Sequence, residues 1–213
     1  MSDEDVIKFL GQHPLERLEA TIQRAYNFGE SFIENHQFLN VPSAKCFWQN
    51  ILNFSVDYNI MNYCKKDIPE YKYEFLKNKA QNCEHLELDN GNIVLTISSS
   101  NNTNGLPRVC HFRIHHAYSN QLTWFNKPET SPRYGIIIHR RKGEKAEGNK
   151  NIVEVKKAEV ILGIPDADYL SWAHYINLAD ICKVDKKLIT TEEDNEYNNF
   201  DMALRKELNI STE

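Results

Sequence analysis

Apolar side chains recur at helical spacing through the first eighty or so residues. Pro14 suits the first turn of a helix, and the apolar positions that follow it are Leu15, Leu18, Ile22 and Ala25. Asp67 and Pro69 predict the start of another helix, whose apolar positions would be Tyr71, Phe75 and Leu76. These segments predict a helical N-terminal layer.

A third helix is predicted from about Ser43. Its apolar positions alternate steps of four and three residues, and they are Phe47, Ile51, Phe54, Tyr58 and Met61. Such a stripe usually forms part of a core, so we expect it to pack against the other helices and a sheet. A stripe that faces a ligand or a partner helix is the less frequent alternative.

Strict alternation of apolar and polar residues begins after Cys83 and indicates strands. Asn90-Gly91 separates two alternating runs, which is a strong signal for a two-residue hairpin turn. Such a turn pairs Leu88 with Ile93 and Leu86 with Leu95, so these four side chains should share one face of the sheet.

Three further strands are predicted at 108–116, 134–141 and 151–164, and Pro165 ends the last of them. From Asp166 the spacing of Leu170, Ala173 and Ile176 predicts a helix, and a terminal helix is expected after Thr191. The fold class is therefore α+β: a helical layer packed on a mainly antiparallel sheet of about five strands, followed by C-terminal helices. We expect a single domain over 1–213, with its helical part at 1–82, its sheet at 83–165 and its last helices at 166–213.

Composition and charge narrow the function classes. The 213 residues have a net charge of −5, which disfavours indiscriminate binding to nucleic acid or to an anionic membrane. The five cysteines are odd in number and show no CxxC spacing, which indicates reduced thiols in the cytoplasm. No apolar run is long enough to cross a bilayer, so no membrane association is expected.

The candidate chemistry lies on the predicted strands 108–116 and 134–141. If the two strands share a sheet with matched faces, their imidazoles and guanidiniums form one basic surface. Its members would be His111, Arg113, His115, His139 and Arg141, with Arg108, His116 and Arg140 near its edges. A solvated face that only pairs with acidic residues elsewhere is the plainest interpretation.

Phosphate recognition is the first functional interpretation of this surface, because guanidinium forks and imidazoles bind phosphate oxygens. The predicted ligand-binding residues are Arg108, Arg113, His116, Arg140 and Arg141. A metal-free ribonuclease would instead use His111, His115 or His139 as acid and base, with Arg113 stabilising the phosphorane. Zinc is disfavoured because Arg113 lies between two of the imidazoles, so neither a metal nor another cofactor is expected.

Other motifs are weaker. Glu154-Val155-Lys156 matches half of a magnesium nuclease motif, but it needs a further carboxylate, which Asp89 supplies only if its strand is adjacent. The chain contains neither of the glycine-rich signatures that bind nucleotide phosphates.

Taken together, these patterns predict a cytoplasmic recognition protein that binds RNA or a nucleotide on its basic sheet face. Whether it is an enzyme stays open: a metal-independent ribonuclease is the second hypothesis. The third is a protein–protein regulatory module that acts through its helical layer.

Overall fold

The computed structural model describes residues 10, 12–78, 84–100, 105–125, 133–146 and 153–181. The helices are α1 (Gln12–Asn35), α2 (Trp48–Lys66), α3 (His111–Phe125) and the short α4 (Leu178–Ile181), with 3-10 segments at Gln37–Asn40 and Pro42–Phe47. The strands are β1 (Lys72–Lys77), β2 (Glu84–Asp89), β3 (Ile93–Ser99), β4 (Arg133–Ala146), β5 (Val153–Pro165) and β6 (Trp172–Asn177). The fold class is α+β, as predicted.

The strands form one mixed sheet in the order β1-β2-β3-β4-β5-β6. Every neighbouring pair is antiparallel except β3 and β4, which run parallel. Parallel neighbours cannot be joined by a tight turn and require a crossover, which α3 supplies. Within the described residues the sheet is therefore mostly antiparallel and has six strands rather than about five.

Helices cover both sides of this sheet. Alternate residues of β4 point in opposite directions: Ile137 belongs to the core that α1 and α2 share with the sheet, whereas Ile136 and Ile138 pack with Ala117 of α3. We call these two surfaces the α1 side and the α3 side. The alternation decides which side chains of 134–141 can meet.

The hairpin of β2 and β3 is confirmed, although its register differs from the predicted one by two residues. Leu88 pairs with Leu95, because the connection is longer than two residues. Asn90 Oδ1 accepts the backbone N–H groups of Asn92 and Ile93, each at 2.9 Å, and Gly91 has φ 82°. A shift of two preserves side-chain direction, so the predicted apolar face is correct: its members Leu86, Leu88, Ile93 and Leu95 are all buried on the α1 side.

Three secondary-structure predictions are wrong. The segment expected to be helical after Asp67 contains β1, whose Tyr73 pairs with Leu88. The segment expected to be a strand at 108–116 enters α3 at His111. The segment expected to be helical after Asp166 is a turn followed by β6. Each is a short run whose periodicity is ambiguous, so the available tertiary partner decided its state.

The core-facing side of α2 was also predicted wrongly. Phe47 and Phe54 are 58% and 68% exposed, whereas the buried residues of the helix are Ser55, Val56, Asn59, Ile60, Tyr63 and Cys64. A Cβ added to Gly29 would lie 2.7 Å from Ser55 Oγ. The helices α1 and α2 therefore pack closely over small residues. This close contact favours burial of that side of α2 over burial of the larger apolar side chains of the predicted stripe. Gly29 serves this approach and does not end α1.

In the region 166–213, where helices were predicted, the described residues contain β6 and the short α4, and the helix predicted after Thr191 lies outside the described part of the chain. Cys46, Cys64 and Cys110 are free thiols. Cys46 is exposed, Cys64 is buried and Cys110 is partly buried. No helix among the described residues combines the length and the apolar character needed to traverse a bilayer. The division into a single domain stays a prediction.

Candidate functional site

The structure divides the predicted basic surface between the two sides of the sheet. His139 and Arg141 lie on the α1 side, in register with Ile137 of the same strand. The residues of 111–116 belong to α3, whose Ala117 packs on the opposite side. The expectation of one common surface is therefore wrong, because it required 108–116 to be a strand beside β4.

His139 lies in a buried network beneath α1. Its Nδ1 shares a hydrogen bond of 2.8 Å with Tyr26 Oη, and the residue is 2% exposed. Burial lowers the pKa of His139 to about 4, so the ring is neutral at pH 7. The Arg141 guanidinium lies 5.6 Å from the Tyr26 ring and 2.5 Å from a carboxylate oxygen of Glu30. A polyanion therefore cannot reach His139 while α1 is in place, and Arg141 is already paired with Glu30.

Arg140 points to the α3 side but forms an ion pair with Glu159 of the neighbouring strand. Of the five predicted ligand-binding residues, Arg140 and Arg141 thus each have a carboxylate partner within the fold. Arg108, Arg113 and His116 remain together on α3 and the loop before it.

We call residues 105–118 the basic segment. It contains two arginines and three histidines, and no acidic residue occurs in the chain between Asp89 and Glu129. Arg108, His111 and His115 are exposed. His111 and His115 are four residues apart in α3 and therefore lie on the same side of the helix. The segment presents hydrogen-bond donors to solvent with no carboxylate of its own.

Arg113 holds the shape of this segment. Its Nη1 donates a hydrogen bond of 2.9 Å to the backbone oxygen of Arg108, and its guanidinium lies 5.2 Å from the Phe112 ring. Tyr169 Oη donates to the backbone oxygen of Pro107 at 3.3 Å. Burial raises the pKa of Tyr169 to about 12, and the nearby charge of Arg113 opposes the shift. Arg113 therefore fixes the loop that carries Arg108 in front of α3.

Glu87 lies next to the basic segment and accepts hydrogen bonds from two imidazoles. Its Oε1 is 2.8 Å from His85 Nε2 and 3.1 Å from His116 Nε2. Burial alone would raise the pKa of Glu87, but the hydrogen bonds from His116 and His85 outweigh it and lower the pKa to about 2. Because a carboxylate only accepts, each ring directs its Nε2–H at Glu87. The carboxylate thus orients His116 from β2.

Aromatic contacts hold both imidazoles in place. His85 stacks on Phe112 with ring centroids 3.7 Å apart, and His116 stacks on Tyr134 at 5.0 Å. Tyr134 Oη and Thr96 Oγ1 share a buried hydrogen bond of 2.8 Å. The network therefore runs from β2 across β3 to β4, beneath α3.

Glu87 was not among the candidate residues predicted from the sequence. Its alternation with Leu86 and Leu88 places it on the polar side of β2. That side is covered because α3 lies over it. The local pattern does not reveal this cover, because the parallel pairing of β3 and β4, which requires a crossover helix on one face of the sheet, is a feature of the tertiary structure.

The metal hypotheses gain no support from the described part of the chain. No group of three or more His, Cys, Asp and Glu side chains there has the arrangement of a metal site. Asp89 is on β2 and Glu154 is on β5, and β3 and β4 lie between these strands. The adjacency that the magnesium half-motif requires is therefore contradicted.

Comparisons with known proteins do not place the chain in a family. No family model, no curated protein and no solved structure matches it.

Proposed function

We propose that the chain is a recognition protein that binds a phosphate-containing ligand, RNA or a nucleotide, through the basic segment. One observation supports this most directly: Arg108, His111 and His115 are exposed together in a stretch that lacks acidic residues, within a chain of net charge −5. The cytoplasmic location expected from the cysteine pattern belongs to the same proposal.

Phosphate is the ligand chemistry that suits these donors. A guanidinium binds two phosphate oxygens at once, and imidazole N–H groups donate to the others. The first N–H groups of α3 have no acceptor within the helix, and they point toward its N-terminal end beside Arg108. Glu87, the acidic side chain of the adjoining network, already has two imidazole N–H groups directed at its Oε1, so this oxygen is engaged within the fold.

The structure changes which residues we assign to the ligand. Arg108, His111 and His115 are assigned to direct contact, and Arg113 is assigned to positioning through the Arg108 backbone. His116 orients toward Glu87, and Arg140 and Arg141 are paired elsewhere, so these three are not assigned to phosphate.

The test is binding of a fluorescent single-stranded RNA, and separately of ATP, at several salt concentrations. Arg108→Ala should weaken binding about tenfold, because one charge-assisted hydrogen bond is lost. For RNA, the slope of log affinity against log salt should shrink by about 0.7 for each phosphate contact removed. His111→Ala and His115→Ala should have smaller effects of the same sign.

Arg17→Ala is the matched control, because Arg17 is an exposed arginine of α1 whose partner is Asp67. It should leave affinity unchanged. Binding of ATP but not RNA would identify the ligand as a nucleotide, and the reverse would identify RNA. The proposal is wrong if neither ligand binds at low salt, or if Arg108→Ala and Arg17→Ala behave alike.

A metal-independent ribonuclease is the second candidate, and the Glu87–His116 pair is the observation that favours it. With Nε2–H directed at Glu87, Nδ1 is the ring nitrogen of His116 that is left to accept a proton, which is the arrangement of an oriented general base. His115 lies beside it, with ring centroids 6.1 Å apart. His139 has no part in this version, because it is buried on the other side of the sheet.

This candidate predicts cleavage of RNA that persists in EDTA and is lost in His116→Ala. Glu87→Gln should lower kcat while leaving the affinity for RNA nearly unchanged, since Glu87 acts only through the imidazole. Binding without any turnover would leave the recognition function as the sole proposal.

A further inference from the structure

The basic segment exposes large apolar side chains between its hydrogen-bond donors. Val109, Ile114 and Tyr118 are 62%, 42% and 58% exposed. A single apolar side chain on a surface is ordinary, but these three belong to one short segment that also exposes Arg108 and His111. Donors alone account for contact with phosphate, so the apolar side chains indicate a second, uncharged part of the ligand.

Helix α3 places Tyr118 in line with His111. Tyr118 follows His111 by seven residues, close to two turns of α-helix, so both side chains leave the helix on the same side. The axial rise between them is about 10 Å. Arg108 lies before the helix, where Arg113 Nη1 donates to its backbone oxygen. The exposed side of α3 therefore has guanidinium and imidazole donors at its start and an aromatic ring two turns later.

Tyr118 differs from the other aromatic rings at this site. Phe112 stacks on His85, so its ring is engaged within the fold. Tyr134 stacks on His116 in the same way. Tyr118, by contrast, keeps more than half of its surface in solvent. Its ring is therefore accessible to a ligand that contacts the donors of the basic segment.

A nucleobase is the flat, uncharged group that suits such a ring beside bound phosphate, because every base has a face that stacks on an aromatic side chain. We propose that Tyr118 is the base-stacking residue of this site. The ligand is a nucleoside phosphate whose base lies on the Tyr118 ring while its phosphates contact Arg108 and His111. This assignment rests on the proposed function and adds the group that recognises the uncharged part of the ligand.

Stacking on Tyr118 requires a base whose face is open. In a duplex, neighbouring bases cover both faces of each interior base, so a side chain on the surface of a helix cannot stack on it. Single strands and free nucleotides present their bases to aromatic side chains. The ligand class is therefore single-stranded RNA or a mononucleotide, and not duplex RNA.

An anionic membrane also offers phosphate beside apolar material, but the exposed side of α3 does not suit it. A helix that lies in a membrane interface has a continuous apolar face opposite its basic residues. On α3, His111 and His115 lie on the same side as Ile114 and Tyr118. The net charge of −5 also disfavours approach to an anionic surface.

The experiment uses the full chain and measures dissociation constants for a fluorescent single-stranded RNA, the same RNA as a duplex, ATP and tripolyphosphate. Tyr118→Ala should weaken binding of the single strand, of ATP or of both about tenfold, because the stacking contact is lost. The ligands that respond identify whether the base belongs to a strand or to a free nucleotide. Tyr118→Phe should bind like the wild type, because the ring remains.

Two readouts separate stacking from phosphate contact. Tripolyphosphate has no base, so its affinity should be unchanged in Tyr118→Ala and should fall in Arg108→Ala. The loss of RNA affinity in Tyr118→Ala should be the same factor at every salt concentration, since stacking neutralises no phosphate. Duplex RNA should not respond to Tyr118→Ala.

Phe54→Ala is the matched control, because Phe54 is an aromatic residue, 68% exposed, of helix α2, which packs on the α1 side of the sheet. It should bind like the wild type. Circular dichroism and retained tripolyphosphate binding check that Tyr118→Ala is folded.

Full binding of RNA and ATP by Tyr118→Ala, together with a loss in Arg108→Ala, overturns the stacking contact and leaves phosphate recognition intact. A wild type that binds none of the four ligands overturns both proposals. The stacking contact is also overturned if Phe54→Ala or duplex RNA shows the same loss, or if the chain binds phosphatidylserine vesicles in place of RNA and ATP.

Discussion

Two polar networks lie on opposite sides of the same sheet, and they differ in charge and in access to solvent. On the α1 side, a neutral His139 shares a hydrogen bond with Tyr26 and is sealed beneath the helix. On the α3 side, an ionised Glu87 accepts from His85 and His116, next to the exposed donors of the basic segment. Both networks contain imidazoles, yet burial leaves the His139 ring neutral, whereas the hydrogen bonds that Glu87 accepts keep its carboxylate charged.

This difference shows which imidazoles are accessible to a ligand. Complete burial removes the charged form of His139, so its contribution is to the packing and pairing of α1 on β4. The hydrogen bonds from His116 and His85 keep the Glu87 carboxylate charged in spite of its burial and orient His116, whereas His111 and His115 remain exposed on the helix that carries His116. The presence of a histidine in the sequence does not predict whether its ring is buried and neutral or exposed to solvent.

Removal of His139 should have the largest effect on stability. In His139→Ala a buried cavity forms and Tyr26 Oη is left without its partner, so we expect the free energy of unfolding to fall by about 4 kcal/mol. Denaturant unfolding measures the change. His111→Ala, an exposed imidazole of α3, is the control and should change stability by less than about 0.5 kcal/mol. Equal effects would remove the distinction between the two sides.

Acidification should have the next largest effect, because the two networks lose their contributions to stability at different pH values. The pKa of His139 is about 4 in the folded chain and 6.5 as the ordinary value, so the unfolded state takes up its proton at higher pH. The stabilisation is fully present above pH 6.5 and is lost as pH falls toward 4, by about 3 kcal/mol at most. The difference between the pH profiles of wild type and His139→Ala isolates this contribution, and a flat difference over that window would contradict a buried neutral ring.

Neutralising Glu87 should have the smallest of these three effects on stability. Glu87→Gln weakens two charge-assisted hydrogen bonds, and we expect a loss of about 2 kcal/mol at pH 7. Because the pKa of Glu87 is lowered from 4.5 to about 2, the stabilisation is present above pH 4.5 and disappears as pH falls toward 2. Glu70→Gln, in the exposed turn before β1, is the control and should be nearly neutral. A loss centred at the same pH as that of His139 would show that the two networks are not separate.

Local patterns that are long or that have a specific turn chemistry were predicted correctly. The stripe after Pro14 belongs to a long helix, and the alternation around Asn90-Gly91 gave the correct faces of β2 and β3. The register was wrong because the length of the connection depends on hydrogen bonds that Asn90 Oδ1 makes with Asn92 and Ile93. Two residues of slip do not change the side on which a strand residue points.

The candidate site was less predictable because it depends on which segments are neighbours. The residues of 111–116 alternate like a strand, but they form a helix because parallel β3 and β4 need a crossover. That single change moved Arg113 and His116 to the α3 side and left His139 on the α1 side. It also placed Glu87, which no motif indicated, at the centre of a network.

The sequence by itself determined the class of the fold, the apolar face of the hairpin, the helix after Pro14 and the presence of a stretch rich in arginine and histidine without acidic residues. These follow from the spacing and type of residues close in the chain, where local geometry leaves few alternatives. Only the tertiary structure decided which side of α2 is buried, which imidazoles lie together and which of them meets solvent. Those outcomes depend on contacts between residues that are distant in sequence, such as Gly29 with Ser55 and Glu87 with His116. Such contacts stabilise the fold only once the chain is packed, so no local pattern reports them.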